Sequence, residues 1–238
     1  MATRHPLGGV TPPLAVDIDG TITDAGRNVD PRVFAVLREW DAPVVVATGK
    51  ALPFPFALCE FAGIRRNVVA ENGGIAYVQA ADDLVVAGDD ERARAVAEEY
   101  RAAGHDLGWG RTDMVNRWRE TELVVHRSRP LEPLERIAAD HGLEVVDTGF
   151  AYHVKSPAVT KGAALTAVAD RLDRDPAEFV AVGDSVNDVS TFDAVGGSYA
   201  VGNADEHARE AADIVLDAEY ADGFLAAVDR IVADREPQ

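Results

Sequence analysis

Short valine-rich runs alternate with helix-period segments along most of the chain, and this alternation restricts the possible folds more than any other feature. LAVDI (14–18), PVVVAT (43–48), NVVAEN (67–72) and EFVAVGDS (178–185) are short and largely apolar. Such runs suit strands covered on both faces, as in a parallel sheet. Helical segments between them carry readable ends. Asp30 followed by Pro31 makes an N-cap and first-turn pair, with Val33, Val36, Leu37 and Trp40 on one face behind it. A helix through Cys59 stops near Gly63. The expected class is α/β, with a mainly parallel sheet.

The alternation breaks in the middle of the chain. IAYV (75–78) reads as a hairpin return, and GDDERARAVAEEYRAAG (88–104) as a helix with a glycine stop. TELVVHRS (121–128) reads as a strand, PLERIAADHG (133–142) as a helix, and LEVVD with FAYHV (143–154) as a strand pair. Residues 104–118 show no period. From residue 159 strand–helix units resume, and no internal repeat is visible. We expect a core of residues 1–79 and 155–238, interrupted by a small α+β unit at 80–154.

Charge excludes several classes of partner. The 238 residues carry 41 acidic and 23 basic side chains, a net charge of −18. Such a chain repels nucleic acid and anionic lipid. Only Lys50, Lys155 and Lys161 are lysines, so arginine supplies the other basic residues. This acidic, lysine-poor composition resembles that of proteins from salt-accumulating halophiles, in particular archaea, where salt screens self-repulsion. No run reaches the roughly 18–20 apolar residues of a membrane span, and MATRHPLGGVTPP lacks the apolar core of a signal peptide. One cysteine, in the apolar stretch FPFALCEFAG, cannot form an internal disulfide and reads as a buried thiol. These readings point to a cytoplasmic protein, monomeric or homodimeric.

Four places carry chemistry. DIDGT (17–21) follows the first apolar run, and alternation sets Asp17 and Asp19 on one side. Ligands of open α/β sheets bind beyond such strand ends. GDSVND (183–188) follows a later strand and spaces Asp184 and Asp188 one helical turn apart. Paired carboxylates repel unless a cation or proton intervenes, and carboxylate oxygens suit Mg²⁺. Thr48 ends the second strand, where its hydroxyl serves either a phosphoryl oxygen or the cap of the next helix. Lys161 stands at a helix start, against the helix dipole, which an anionic partner would explain. Taken singly, each has a plain structural reading: an acidic turn, a helix cap, a solvated amine.

Together, DIDGT, the threonine of VVVATGK, Lys161 and GDSVND resemble the four motifs of the haloacid dehalogenase-like phosphohydrolases. ENGG (71–74) and AVGNA (200–204) are similar to segments of the Cof-type, subfamily IIB branch, whose C2 cap is inserted between the third strand and the lysine motif. The likeness covers roughly residues 14–78 and 155–217. It implies a Rossmann-like core with an inserted α+β cap that sets specificity. Cap size and chain length are most similar to archaeal-type phosphoglycolate phosphatases.

The resemblance implies Mg²⁺-dependent hydrolysis of a small anionic phosphate ester, foremost 2-phosphoglycolate, with a sugar phosphatase or phosphomutase as the alternative. It makes Asp17 the nucleophile and Asp19 the general acid and base. Thr48 and Lys161 bind the phosphoryl group. Asp17, the Asp19 carbonyl and Asp184 hold the metal, with Asp188 a ligand or supporting partner. Lys50 departs from the pattern, because many relatives with a cap carry arginine there. A carboxylate-bearing substrate needs a second cation, for which Arg111, Arg117, Arg119, Arg127 and Lys155 are available. The tripeptide Gly183-Asp184-Ser185 also matches one class of serine esterase, but no histidine lies three residues after an aspartate, as that class requires.

Screening of the net charge should make stability depend on salt. The melting temperature is expected to rise from low to molar KCl, as followed by circular dichroism; a flat or falling midpoint would oppose this reading.

Overall fold

The computed structural model describes residues 11–233. Most of MATRHPLGGVTPP, the stretch expected to lack a signal peptide, lies outside the described residues. In chain order the elements are β1 (Leu14–Val16), α1 (Pro31–Glu39), β2 (Val44–Ala47), α2 (Pro53–Ala62), β3 (Asn67–Ala70), β4 (Ile75–Val78) and β5 (Asp83–Val86). Next come α3 (Asp90–Ala102), β6 (Leu123–His126), α4 (Leu131–Asp140), β7 (Glu144–Asp147) and β8 (Ala151–Lys155). Last are α5 (Lys161–Arg171), β9 (Val180–Gly183), α6 (Val189–Phe192), β10 (Gly197–Ala200), α7 (Glu206–Ala211), β11 (Ile214–Val215) and α8 (Tyr220–Ala233).

Eight strands form one sheet in the order β11-β10-β9-β1-β2-β3-β4-β5. Its first six strands run parallel, and β4 and β5 return antiparallel at one edge. Period-two alternation divides the strand side chains between two cores. Leu14, Val16, Val44 and Val46 pack with Val33 and Leu37 of α1, Cys59 of α2 and Phe224 of α8. Ala15, Val45 and Ala47 pack with Leu165 and Val168 of α5, Phe192 of α6 and Ala208 of α7. This two-sided burial is why the sheet strands read as unbroken apolar runs. Two expected helix signals are present. Asp30 accepts the Arg32 backbone N–H ahead of Pro31, and Gly63 ends α2 in the left-handed region at φ 74°.

The inserted block forms its own antiparallel sheet, β6-β8-β7, whose apolar face packs against α3 and α4 through Val96, Tyr100, Leu134 and Ile137. The boundary expected at residue 80 needs correction. β5 pairs with β4 in the large sheet, so the block that folds apart starts at α3. Only four residues long, β5 alternates half-buried and exposed positions and lacks the apolar signature of the inner strands. Lys155, assigned to the core from sequence, closes β8 of the smaller sheet. Residues 104–118 contain turns and bends with no helix or strand. No helix among the described residues is long and apolar enough to cross a membrane.

Cys59 is fully buried, and burial pushes its thiol up to about 12. A thiol so placed is protonated and shielded at neutral pH. Ellman's reagent at pH 8 is therefore expected to titrate less than about 0.1 equivalent in the native protein and one equivalent after denaturation. Rapid native labelling would contradict the packing around α2.

Candidate active site

Strand ends on the large sheet converge on one cavity. Its volume is about 480 Å³, and its lining includes Asp17, Asp19, Thr48, Lys50, Asp184 and Asn187 from the core, with Arg119 and His153 from the insert. β1 sits between β2 and β9, so the loops after these three strands emerge side by side. This adjacency joins Asp17 to Asp184 and Asp188 across more than 160 residues of chain.

Lys161 stands at the centre of the acidic group. Its Nζ donates to Asp17 Oδ1 at 2.7 Å, to Asp188 Oδ1 at 2.7 Å and to Asn187 Oδ1 at 3.2 Å. The residue is 1% exposed. Burial disfavours its charge, but Asp17 and Asp188 outweigh that cost and raise its pKa. The lysine at a helix start is thus explained. Thr160 caps α5 by accepting from the Ala163 N–H, and the next side chain turns into the carboxylates. Gly73, at φ 104°, makes this approach possible, since a Cβ there would strike the Thr160 carbonyl.

Ligand oxygens of Asp17, Asp184 and Asp188 lie within 4.8 Å of one another. Like charges at such range repel by about 4 kcal/mol per pair at an effective dielectric of about 20. Burial, followed by repulsion from neighbouring carboxylates, pushes Asp17 up to about 7 despite Lys161. Burial and then repulsion from Asp17 and Asp188 likewise raise Asp184. A divalent cation would relieve this repulsion, and the donor set fits one. Among the described residues, Asp184 Oδ1 accepts only the Thr21 hydroxyl, at 3.0 Å, and no hydrogen bond ends on the Asp19 carbonyl. Gly20 at φ 85° brings that turn close to Asp184, where a Cβ would collide with the carboxylate. Asp188 is more fully engaged. Its Oδ2 accepts the backbone N–H groups of Asp184 and Ser185, and its Oδ1 takes Lys161.

Asp19 lines the same cavity as Asp17 and adds to the repulsion that raises it. β1 ends at Val16 and the chain turns at Gly20. Asp19 Oδ2 therefore pairs with Lys50 Nζ at 2.9 Å, while Oδ1 is buried without a partner. Lys50 thus has a clear electrostatic role at this site. Thr48 does not cap α2. Its Oγ1 accepts the Lys50 N–H at 3.1 Å, leaving its hydroxyl proton available to the cavity. Ser185 donates to Asn187 at 2.7 Å and meets no histidine in any described contact, so the esterase arrangement is absent from the described residues.

Sequence reasoning missed the polar seam between core and insert. Asn187 Nδ2 donates to Asn72 Oδ1 at 2.9 Å, and Asn72 Nδ2 donates to Glu122 Oε2 at 2.9 Å. His153 Nδ1 lies 3.1 Å from that same Glu122 oxygen, and Arg119 pairs with the other. Burial alone would raise Glu122, but His153 and then Arg119 hold it below the usual carboxylate range. Beside it, buried Glu71 accepts the Glu120 and Thr121 N–H groups and the Thr121 hydroxyl. ENGG marked this place, because Glu71, Asn72 and Gly73 all adopt positive φ. Nothing in the sequence named its partners.

A Haloarcula marismortui protein named phosphoglycolate phosphatase is 64% identical over 92% of this chain and 96% of its own length. One of the same name from Archaeoglobus fulgidus is 35% identical over 90% and 94%. The family model for haloacid dehalogenase-like hydrolases matches residues 135–228. The chain belongs to the haloacid dehalogenase-like hydrolases. Solved structures agree on the fold. A Thermoplasma acidophilum protein superposes with TM-score 0.80 at 22% identity, covering 94% of this chain and 99% of its own. A Bacteroides thetaiotaomicron haloacid dehalogenase-like hydrolase gives 0.75 at 20% identity, covering 93% and 100%. The chain is therefore a phosphoric monoester hydrolase acting on a small phosphate ester, with an acidic cluster suited to the divalent metal that such hydrolases use. Several of the similar proteins come from halophilic archaea, in keeping with the acidic composition.

Metal binding to carboxylates competes with protons. Adding a divalent cation at pH 8 should raise the melting temperature by several degrees, and by less at pH 5, where Asp17, raised to about 7, retains its proton. EDTA should reverse the rise and Asp184→Ala should abolish it. A rise that persists in that variant would place the ion elsewhere.

Proposed function

We propose that this chain hydrolyses 2-phosphoglycolate to glycolate and phosphate, with Mg²⁺ as its metal and an aspartyl-phosphate on Asp17 as intermediate. The observation that carries this reading is the Asp17–Lys161–Asp188 constellation, set at the mouth of β1 in a chain similar over nine-tenths of its length to proteins named phosphoglycolate phosphatase. Residues from α3 to β8 serve as the specificity insert.

Each side chain has a role that its surroundings support. Lys161 engages Oδ1 of Asp17, so Oδ2 is the oxygen positioned to attack phosphorus in line. As that bond forms, the phosphorus–ester oxygen bond breaks, and Asp19 donates its proton to the departing alkoxide. Asp19 then takes a proton from water. The resulting hydroxide attacks the phosphoryl group and frees phosphate and Asp17. Lys161 and the Thr48 hydroxyl hold the equatorial phosphoryl oxygens as charge shifts among them. Asp17, the Asp19 carbonyl and Asp184 would hold Mg²⁺, with Asp188 supporting or joining them. Bound there, the ion neutralises carboxylate and phosphate charge. Lys50, paired with Asp19 at 2.9 Å, holds that carboxylate at the cavity wall.

The test is phosphate release with Mg²⁺ in molar KCl, comparing 2-phosphoglycolate with sugar phosphates, phosphoserine and nucleotides. 2-Phosphoglycolate is expected to give the highest kcat/KM. Asp17→Asn should lower kcat by a factor on the order of 10³ or more, as loss of a nucleophile does, while circular dichroism stays unchanged. Turnover within a few-fold of wild type would remove Asp17 from its role. A superior sugar phosphate would replace the substrate.

A further inference from the structure

We propose that Arg119 receives the carboxylate of the substrate and thereby selects carboxylate-bearing phosphate esters. This inference rests on the phosphoglycolate reading above. Such a substrate carries its second anion two carbons from the ester oxygen, in a cavity already lined by Asp17, Asp19 and Asp184. A cation on another wall must accept that anion, or the acidic groups will repel it.

The structure separates the available cations. Of the five considered from sequence, only Arg119 lines the cavity. Lys155 is held by Glu144 and the Val159 carbonyl, and Arg127 by Asp147 and the Gly149 carbonyl. Two core cations also line the cavity, but among the described residues neither has a guanidinium edge fixed by hydrogen bonds as Arg119 has. Lys50 pairs with Asp19, and Arg27 lies over the Phe150 ring at 3.8 Å.

Arg119 is held in a way that suits a receptor. Its Nε donates to the Val115 carbonyl at 3.1 Å, and its Nη1 donates to the Gly49 carbonyl at 2.8 Å and to Glu122. Those bonds use three of the five guanidinium hydrogens. The two on Nη2 have no described acceptor. With its side chain 6% exposed and one edge fixed, Arg119 loses little further freedom when the other edge meets an anion. Glu122 fixes the Nη1 edge through one oxygen while its second is committed to Asn72 and His153, so Nη2 is left to a ligand. The bond to Gly49 also sets the guanidinium one residue from Thr48, at the phosphoryl end of the cavity. Arg119 comes from the insert and Gly49 from the core, so packing the two together builds the receptor.

The experiment compares kcat/KM for 2-phosphoglycolate and for ethyl phosphate, which keeps the ester and chain length but lacks the carboxylate. Wild type, Arg119→Gln, Arg119→Lys and the double variant Arg119→Gln/Glu122→Gln are assayed with Mg²⁺ in molar KCl. The double variant removes Glu122's charge along with its partner, which protects the fold. Wild type should prefer 2-phosphoglycolate. The glutamine variants should reduce that preference roughly 10- to 100-fold, the range for a charged hydrogen bond, mainly through KM, and Arg119→Lys should recover part of it. Equal losses on both substrates, or an unchanged preference, would reduce Arg119 to a structural clamp and overturn the proposal. Wild type indifferent to the carboxylate would instead overturn the substrate reading, and the proposal with it.

Discussion

One ammonium group holds the site together. Lys161 Nζ bridges Asp17 from the loop after β1 and Asp188 from the loop after β9, two loops brought side by side by the pairing of β1 with β9. Without it, three carboxylates within 4.8 Å would confront one another in a buried space. The sheet supplies the proximity, α5 supplies the charge, and Gly73 lets the start of α5 come close enough for the two to meet. Even so, Asp17 and Asp184 remain raised. The fold thus gathers carboxylates whose ionisation is disfavoured until a cation joins them.

The parts of this arrangement that could be read in the sequence obey short-range rules. A strand end fixes where its next residue lies, so Asp17, Thr48 and Asp184 were legible from the apolar runs before them. Lys161 stood out because a lysine opposes the dipole at a helix start, in a chain with so few lysines. The pairing of Asp19 with Lys50 was not legible, because it joins loops that follow two different strands. β5 was assigned to the wrong body because an edge strand needs no continuous apolar face. Arg119 was named only as one of five available cations, and how it meets Asn72, Glu122 and His153 was out of reach for a different reason. Most of their contacts join residues 31 to 81 positions apart, several of them across insert and core, and leave no period to detect.

Those long-range contacts are polar and buried, a combination that is costly when incomplete. Glu122 is flanked by Arg119, His153 and Asn72, and Glu71 has its carboxylate filled by three donors from the insert. Removing one partner from a buried ion pair typically costs about 3–5 kcal/mol. The seam therefore adds less through net stabilisation than through selectivity for one seating of insert on core. It also forms a continuous chain of contacts from Glu122 through Asn72 and Asn187 to Lys161, so the seating of the insert and the position of the ammonium are physically linked.

The Glu71 contacts bear on how this architecture can diverge. Two of the three donors are main-chain amides, which any residue except proline supplies at positions 120 and 121. The cavity-facing surface of the insert is thus free to vary while its anchor stays fixed. A chimaera that exchanges the whole block between such enzymes would keep this backbone handhold, yet it would have to bring its own match for Asn72 and the Gly49 carbonyl. Modular exchange is permitted by the amides and policed by two side chains, Arg119 and Glu122.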